Sequence, residues 1–126
     1  MSAKILLVED NPENRYLFTF LLKRAGYTVR SASNGCEALA EAASMVPDLV
    51  IMDIQMPEMD GYEATARLRE DPRFDAVPIV GLSAFATTGD HERARRSGFA
   101  AYLAKPIVPE DFLREIAAYL PVALRP

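Results

Sequence analysis

The chain has 126 residues, half of them hydrophobic and 25% charged, with 14 Lys and Arg against 18 Asp and Glu for a formal charge of −4. At about 150 residues per domain this predicts one domain spanning residues 1–126, long enough to bury a core without a staple. The acidic balance argues against nucleic-acid binding through a general basic surface. A single cysteine, Cys36, excludes an internal disulfide and a multi-cysteine zinc site, and a single histidine, His91, excludes a His-rich metal site. No apolar run approaches the roughly 18–20 residues of a membrane span, so membrane insertion is not expected. The first ten residues (MSAKILLVED) reach acid too soon for a signal peptide, so the expected location is cytoplasmic.

Short apolar runs alternate with longer helical stretches. The runs are Lys4–Val8, Thr28–Ser31, Asp48–Met52, Pro78–Leu82 and Ala100–Leu103. Within them ILLV, LVIM and IVGL lack polar/apolar alternation, the pattern of strands covered on both faces in a parallel sheet. Asn11-Pro12 reads as an N-cap followed by an N1 proline, and Gly26 as the stop after Ala25. Asn34 caps a second helix running to about Met45. A third spans Gly61 to Glu70, and a fourth Thr88 to Ser97, ended by Gly98. Pro109 opens a fifth, with Glu110 and Asp111 where the helix dipole favours acid. Five βα units with right-handed crossovers predict a three-layer α/β sandwich.

Ligands of such sheets bind at the carboxyl ends of the strands, so the residues closing each run matter most. The first run leads into Glu9-Asp10, the third into Asp53, the fourth into Leu82-Ser83, and the fifth is followed by Lys105-Pro106. If the strands are parallel, three acids, a hydroxyl and an ammonium meet at one edge. Clustered carboxylates repel unless a cation neutralises them. Mg²⁺ takes oxygen ligands and leaves room for a phosphoryl oxygen, with Lys105 and Ser83 as donors to the remaining oxygens. A carboxylate facing such a group can attack phosphorus and form an acyl phosphate.

LVEDN at the first strand end, MDIQMPEMDG around the third, LSA after the fourth and AYLAKP at the fifth together resemble a CheY-like receiver domain of a two-component response regulator. The resemblance covers nearly the whole chain. It implies a five-stranded parallel sheet of order 2-1-3-4-5, the flavodoxin-like arrangement. It also implies Asp53 as phospho-acceptor, and Mg²⁺ held by Glu9, Asp10, Asp53 and the backbone carbonyl of Gln55. Ser83 would donate to a phosphoryl oxygen, Lys105 would neutralise its charge, and Lys105-Pro106 would be a cis peptide. Tyr102 stands at the aromatic switch position, expected to rotate inward when Ser83 is drawn to the phosphoryl group. The fourth helix, fifth strand and fifth helix would then present a changed face to a downstream protein target. The phosphoryl donor would be a sensor histidine kinase or phosphotransfer protein, met through the region of Asn14, Arg15 and Pro106. Gln55, two residues after Asp53, and Phe85, two after Ser83, stand at positions that resemble the family's rate-setters for loss of the phosphoryl group, and Phe85 would shield the acyl phosphate from water. The segment from LSA to AKP resembles single-domain regulators of the cell-cycle type and also hybrid-kinase receivers. With no output segment after the fifth helix, the expectation is a stand-alone regulator.

A phosphatase of the haloacid-dehalogenase kind needs an acid two residues after its nucleophile. Gln55 occupies that place, so turnover of external substrates is not expected. A nucleotide-binding reading lacks both G-x-G-x-x-G and a P-loop. Helix one carries Leu17, Phe18, Leu21, Leu22 and Ala25 on an arc expected to face the core. Tyr16 and Phe20 fall on the other side, as a local cover or a partner-docking patch. Cys36 and Met52 read as packing residues, Met56 and Met59 as loop packing, and His91 as an exposed helix residue.

Overall fold

A computed structural model describes residues 2–84 and 88–125, with side chains except at 88–91. Phe85 and the side chain of His91 therefore lie outside the described residues. The elements alternate as expected: β1 (Lys4–Val8), α1 (Pro12–Arg24), β2 (Thr28–Ala32), α2 (Gly35–Ser44), β3 (Leu49–Asp53), α3 (Gly61–Arg69), β4 (Ile79–Ser83), α4 (Thr88–Arg96), β5 (Ala101–Ala104) and α5 (Pro109–Ala118). Two short 3-10 turns, Pro72–Phe74 and Val122–Leu124, were not anticipated. All strand pairs are parallel, in the order β2-β1-β3-β4-β5.

The unalternating runs are explained by burial on both faces. Every residue of β3 and β4 is buried. Side chains alternate across a strand, so Leu6, Val8, Val50 and Met52 join Ala38 and Ala42 of α2, Ala64 and Leu68 of α3, and Ala94 of α4. Ile5, Leu7, Leu49, Ile51, Val80 and Leu82 turn the other way. They pack on Phe18 and Leu22 of α1 and Phe112 and Ile116 of α5, with the Phe18 and Phe112 rings stacked at 5.4 Å. Burying each large aliphatic side chain contributes about 1.5–3 kcal/mol, which makes this double coverage the main stabilising term. The edge strand β2 carries exposed Thr28, Arg30 and Ser31.

The helix signals hold at atomic level. Asn11 and Asn34 accept from the N–H groups of Asn14 and Glu37 at 2.9 and 2.8 Å. Gly26 and Gly98 take φ of +101° and +97°, which only glycine adopts readily. Asp60 caps α3 by accepting from the Glu63 N–H at 2.9 Å. That cap was legible as D-x-x-E but not anticipated. Two expectations need correction. Leu17 is 43% exposed, because it faces a groove between α1 and the β5–α5 connection rather than the core. Cys36 is exposed, on the outer side of the first turn of α2.

Away from the strands' carboxyl ends, one guanidinium ties several segments. Arg69 donates to the carbonyls of Phe74, Val77 (2.8 Å) and Gly98 (2.8 Å), linking the end of α3, the approach to β4 and the α4–β5 turn. At the opposite edge α3 starts hard against β3. A Cβ at Gly61 would stand 2.7 Å from both the Asp53 carbonyl oxygen and the Ile54 Cα, and the Gly61 N–H donates to the Ile54 carbonyl at 2.9 Å. Both obstructing atoms are backbone. Gly61→Ala is therefore expected to cost about 1–3 kcal/mol through overpacking, read as a lower urea midpoint with an unchanged slope.

Candidate functional site

The strand order places the switch point between β1 and β3, whose chains leave in opposite directions. The register brings Val8 beside Met52, Asp53 beside Leu82, and Ser83 beside Ala104. Glu9 and Asp10 thus emerge next to the end of β3. Asp53 and Ser83 are the last residues of their strands, still inside the ladder. Lys105 follows β5 directly. The five residues expected to converge do so.

Glu9 and Asp53 have almost no exposure (0% and 1%), and Asp10 is half-buried. One carboxylate oxygen from each of the three lies within 4.8 Å of the others. The Lys105 ammonium reaches both buried acids, at 3.1 Å from Glu9 Oε2 and 3.3 Å from Asp53 Oδ1. Asp53 Oδ1 also lies 3.3 Å from the Gln55 N–H, and Glu9 Oε1 accepts from the Asn11 N–H at 3.2 Å. Burial pushes the Asp53 carboxyl up to about 8. Hydrogen bonding with Asp10 and the charge of Glu9 add to the rise, and Lys105 opposes it. Three acids against one ammonium leave an excess of negative charge that oxygen-seeking Mg²⁺ would neutralise, so the donor set fits that ion.

Lys105-Pro106 is cis. Tyr102 is 8% exposed, so its ring already points inward in this structure. The Gln55 side chain spans from the β3–α3 connection to the end of β4, with Nε2 2.6 Å from Ser83 Oγ and Oε1 3.2 Å from the Ala84 nitrogen. Sequence reading missed this bridge, and nothing in the local pattern marks it. Of the docking candidates, Tyr16 and Phe20 stand out from α1 at 77% and 49% exposure. Arg15 is engaged with the site, donating to the Glu9 carbonyl at 3.0 Å. Asn14 and Pro106 line the groove beside Leu17, Ala84 and Lys105, about 330 Å³ in volume.

Residues 5–117 match the family described as response regulator receiver domain. The chain is 42% identical over 120 residues to the polar-differentiation response regulator DivK of Brucella anthropi, covering 95% of this chain and 98% of that protein. The Brucella ovis DivK is 41% identical over the same length. Among solved structures, the chemotaxis protein CheY4 of Vibrio cholerae superposes with a TM-score of 0.92 at 32% identity, covering 95% of this chain and all of that one. The receiver domain of a sensor histidine kinase from Pseudomonas aeruginosa superposes at 0.86 with 35% identity, over 94% of this chain and 98% of that one. That structure holds a magnesium ion coordinated in its active-site cleft.

The raised pKa of Asp53 has a signed consequence for stability. The unfolded carboxyl titrates near 3.9, so the folded state holds the extra proton between about pH 4 and 8. Wild-type stability therefore falls as pH rises through that window. Asp53→Asn removes this loss. In EDTA the variant is expected to melt roughly 3–10 °C above wild type at pH 8, with the gap closing towards pH 4. Added Mg²⁺ should narrow the gap at pH 8, as thermal melts in both buffers would read.

Proposed function

This chain belongs to the response regulator receiver domains, and on that premise we propose that it accepts one phosphoryl group on Asp53 from a phosphohistidine of a sensor histidine kinase or phosphotransfer protein. The observation that carries this reading is the buried Asp53 carboxylate at the switch point, with Lys105 at 3.3 Å and two further acids within the same cluster. An Asp53 Oδ atom attacks phosphorus. A P–O bond forms, the P–N bond breaks, and the departing imidazole keeps the electron pair. Glu9, Asp10, Asp53 and the Gln55 backbone carbonyl would hold Mg²⁺, which supplies charge neutralisation for the incoming phosphoryl oxygens when bound. Lys105, already between Glu9 and Asp53, needs only a small shift to meet the new charge. Ser83 donates its hydroxyl to another phosphoryl oxygen.

The response is a population shift that the phosphoryl group drives by its differential contacts. Ser83 closes β4, and its neighbour in the ladder, Ala104, lies two residues from Tyr102. Repositioning at Ser83 is thereby passed to Tyr102 and to the surface formed by α4, β5 and α5, where a downstream protein target binds. Tyr102 is already buried in this structure, before any phosphoryl group is attached. The chain acts through protein contact, in keeping with its match over 98% of the length of the DivK relative. The kinase or phosphotransfer partner docks on α1, where Arg15 and the exposed Tyr16 and Phe20 lie, and on the adjacent groove lined by Asn14 and Pro106.

Intact mass after incubation with Mg²⁺ and acetyl phosphate tests the chemistry. One added phosphoryl group is expected on wild type, and none on Asp53→Asn or when EDTA replaces Mg²⁺. The docking surface is tested with Tyr16→Ala, Phe20→Ala. That double variant should take phosphate from acetyl phosphate at the wild-type rate but lose at least about tenfold in transfer from a phosphohistidine partner, the loss of one hot-spot pair.

A further inference from the structure

Glu9 and Asp10 are adjacent in sequence, and one peptide unit joins them. Its carbonyl oxygen, that of Glu9, accepts a hydrogen bond from Arg15 Nη1 at 3.0 Å. A peptide unit is planar, so fixing this carbonyl also fixes the plane from which Asp10 leaves. Glu9 has other restraints. Its N–H donates to the Ala32 carbonyl at 3.1 Å, and its carboxylate accepts from the Asn11 N–H at 3.2 Å. Asp10 lies beyond the last paired residue of β1, and its own backbone makes no backbone hydrogen bond among the described residues. The placement of Arg15 is also informative. It stands near the amino end of α1, where the helix dipole gives a cation no advantage, whereas Lys23 and Arg24 occupy the favoured carboxyl end. Arg15 is half-buried. Its charge reaches Glu37 in the first turn of α2, adding to a lowering of that carboxyl caused chiefly by hydrogen bonds from Ser33.

We propose that Arg15 is a positioning residue for the divalent cation, a brace that orients the Glu9–Asp10 peptide so that the Asp10 carboxylate meets those of Glu9 and Asp53. This rests on the reading of the three acids as the Mg²⁺ site, and adds a residue that touches neither the ion nor the phosphoryl group. The two effects a guanidinium can have here carry opposite signs. As a charge alone, Arg15 repels Mg²⁺, and its removal would tighten binding. As a brace, it keeps one oxygen of each acid within 4.8 Å of the others, and its removal lets Asp10 swing away and weakens binding. Groups that orient metal-binding side chains typically contribute about 10–100-fold in affinity. Repulsion by the Arg15 charge offsets part of this, leaving a net loss of about tenfold when the side chain is removed.

The test titrates Mg²⁺ into the unphosphorylated full chain and follows binding by NMR at the backbone amides around Asp10 and Asp53. Arg15→Met, which is neutral and cannot donate, is compared with Arg15→Lys, which keeps the charge and a donor but not the planar fork. Arg15→Met is expected to bind Mg²⁺ about tenfold more weakly than wild type, with Arg15→Lys in between. A second readout needs no ion. In EDTA, ¹⁵N relaxation should give a lower order parameter at Asp10 in Arg15→Met than in wild type, with the amides of β3 and β4 unchanged. Binding by Arg15→Met as tight as wild type, or tighter, would overturn the brace and leave Arg15 as a charge. Weaker binding with Asp10 as ordered as in wild type would overturn it too, since the loss would not run through Asp10. If wild type itself takes up no Mg²⁺, the reading of the acids as a cation site fails and the brace falls with it.

Discussion

Two carboxylates with almost no access to water, Glu9 and Asp53, share the ammonium of Lys105 at 3.1 and 3.3 Å. Such an arrangement is costly on its own, since acids this close repel and burial denies them the solvent that would screen them. The rest of the molecule is the framework that enforces it. Parallel pairing aims all five strands at one edge, and burial on both faces leaves β3 no freedom to carry Asp53 elsewhere. Burial in that framework, with Asp10 and Glu9 beside it, raises the Asp53 carboxyl to about 8. A cation that meets this charge offsets the cost.

The same rigidity decides how a change at Asp53 spreads. Neither the sheet nor the two apolar clusters can deform smoothly, because their side chains are close-packed. Adjustable contacts lie at the strand ends: the Lys105 ammonium, the Ser83 hydroxyl and the Gln55 carboxamide. The last two belong to different connections, one after β3 and one closing β4, and their 2.6 Å contact joins them. Under the proposed function, a phosphoryl group on Asp53 would first be met by these polar groups at the strand ends.

Much of this was readable in the residues. The unalternating runs foretold strands covered on both sides, and Asn11-Pro12, Asn34 and Gly26 marked helix ends that the structure reproduces. Boundaries of the later strands fall one residue further on than the apolar pattern. Asp53 and Ser83 remain in the ladder because pairing needs only their backbone, not an apolar side chain. Leu17 shows the limit of helical periodicity. It lies on the apolar arc, but at that point the arc meets a groove rather than the sheet. The inward ring of Tyr102 and the Gln55 bridge were not legible. Each depends on which loops come to lie side by side, and no local spacing encodes that.

Arg69 gathers the carbonyls of Phe74, Val77 and Gly98 far from the acids. Since the chain enters β4 just after Val77 and turns into β5 just after Gly98, both strands are anchored at their starting ends by one cation. The face opposite the acids is thereby held by a single charged side chain, so loss of Arg69 would release the entry to both strands at once.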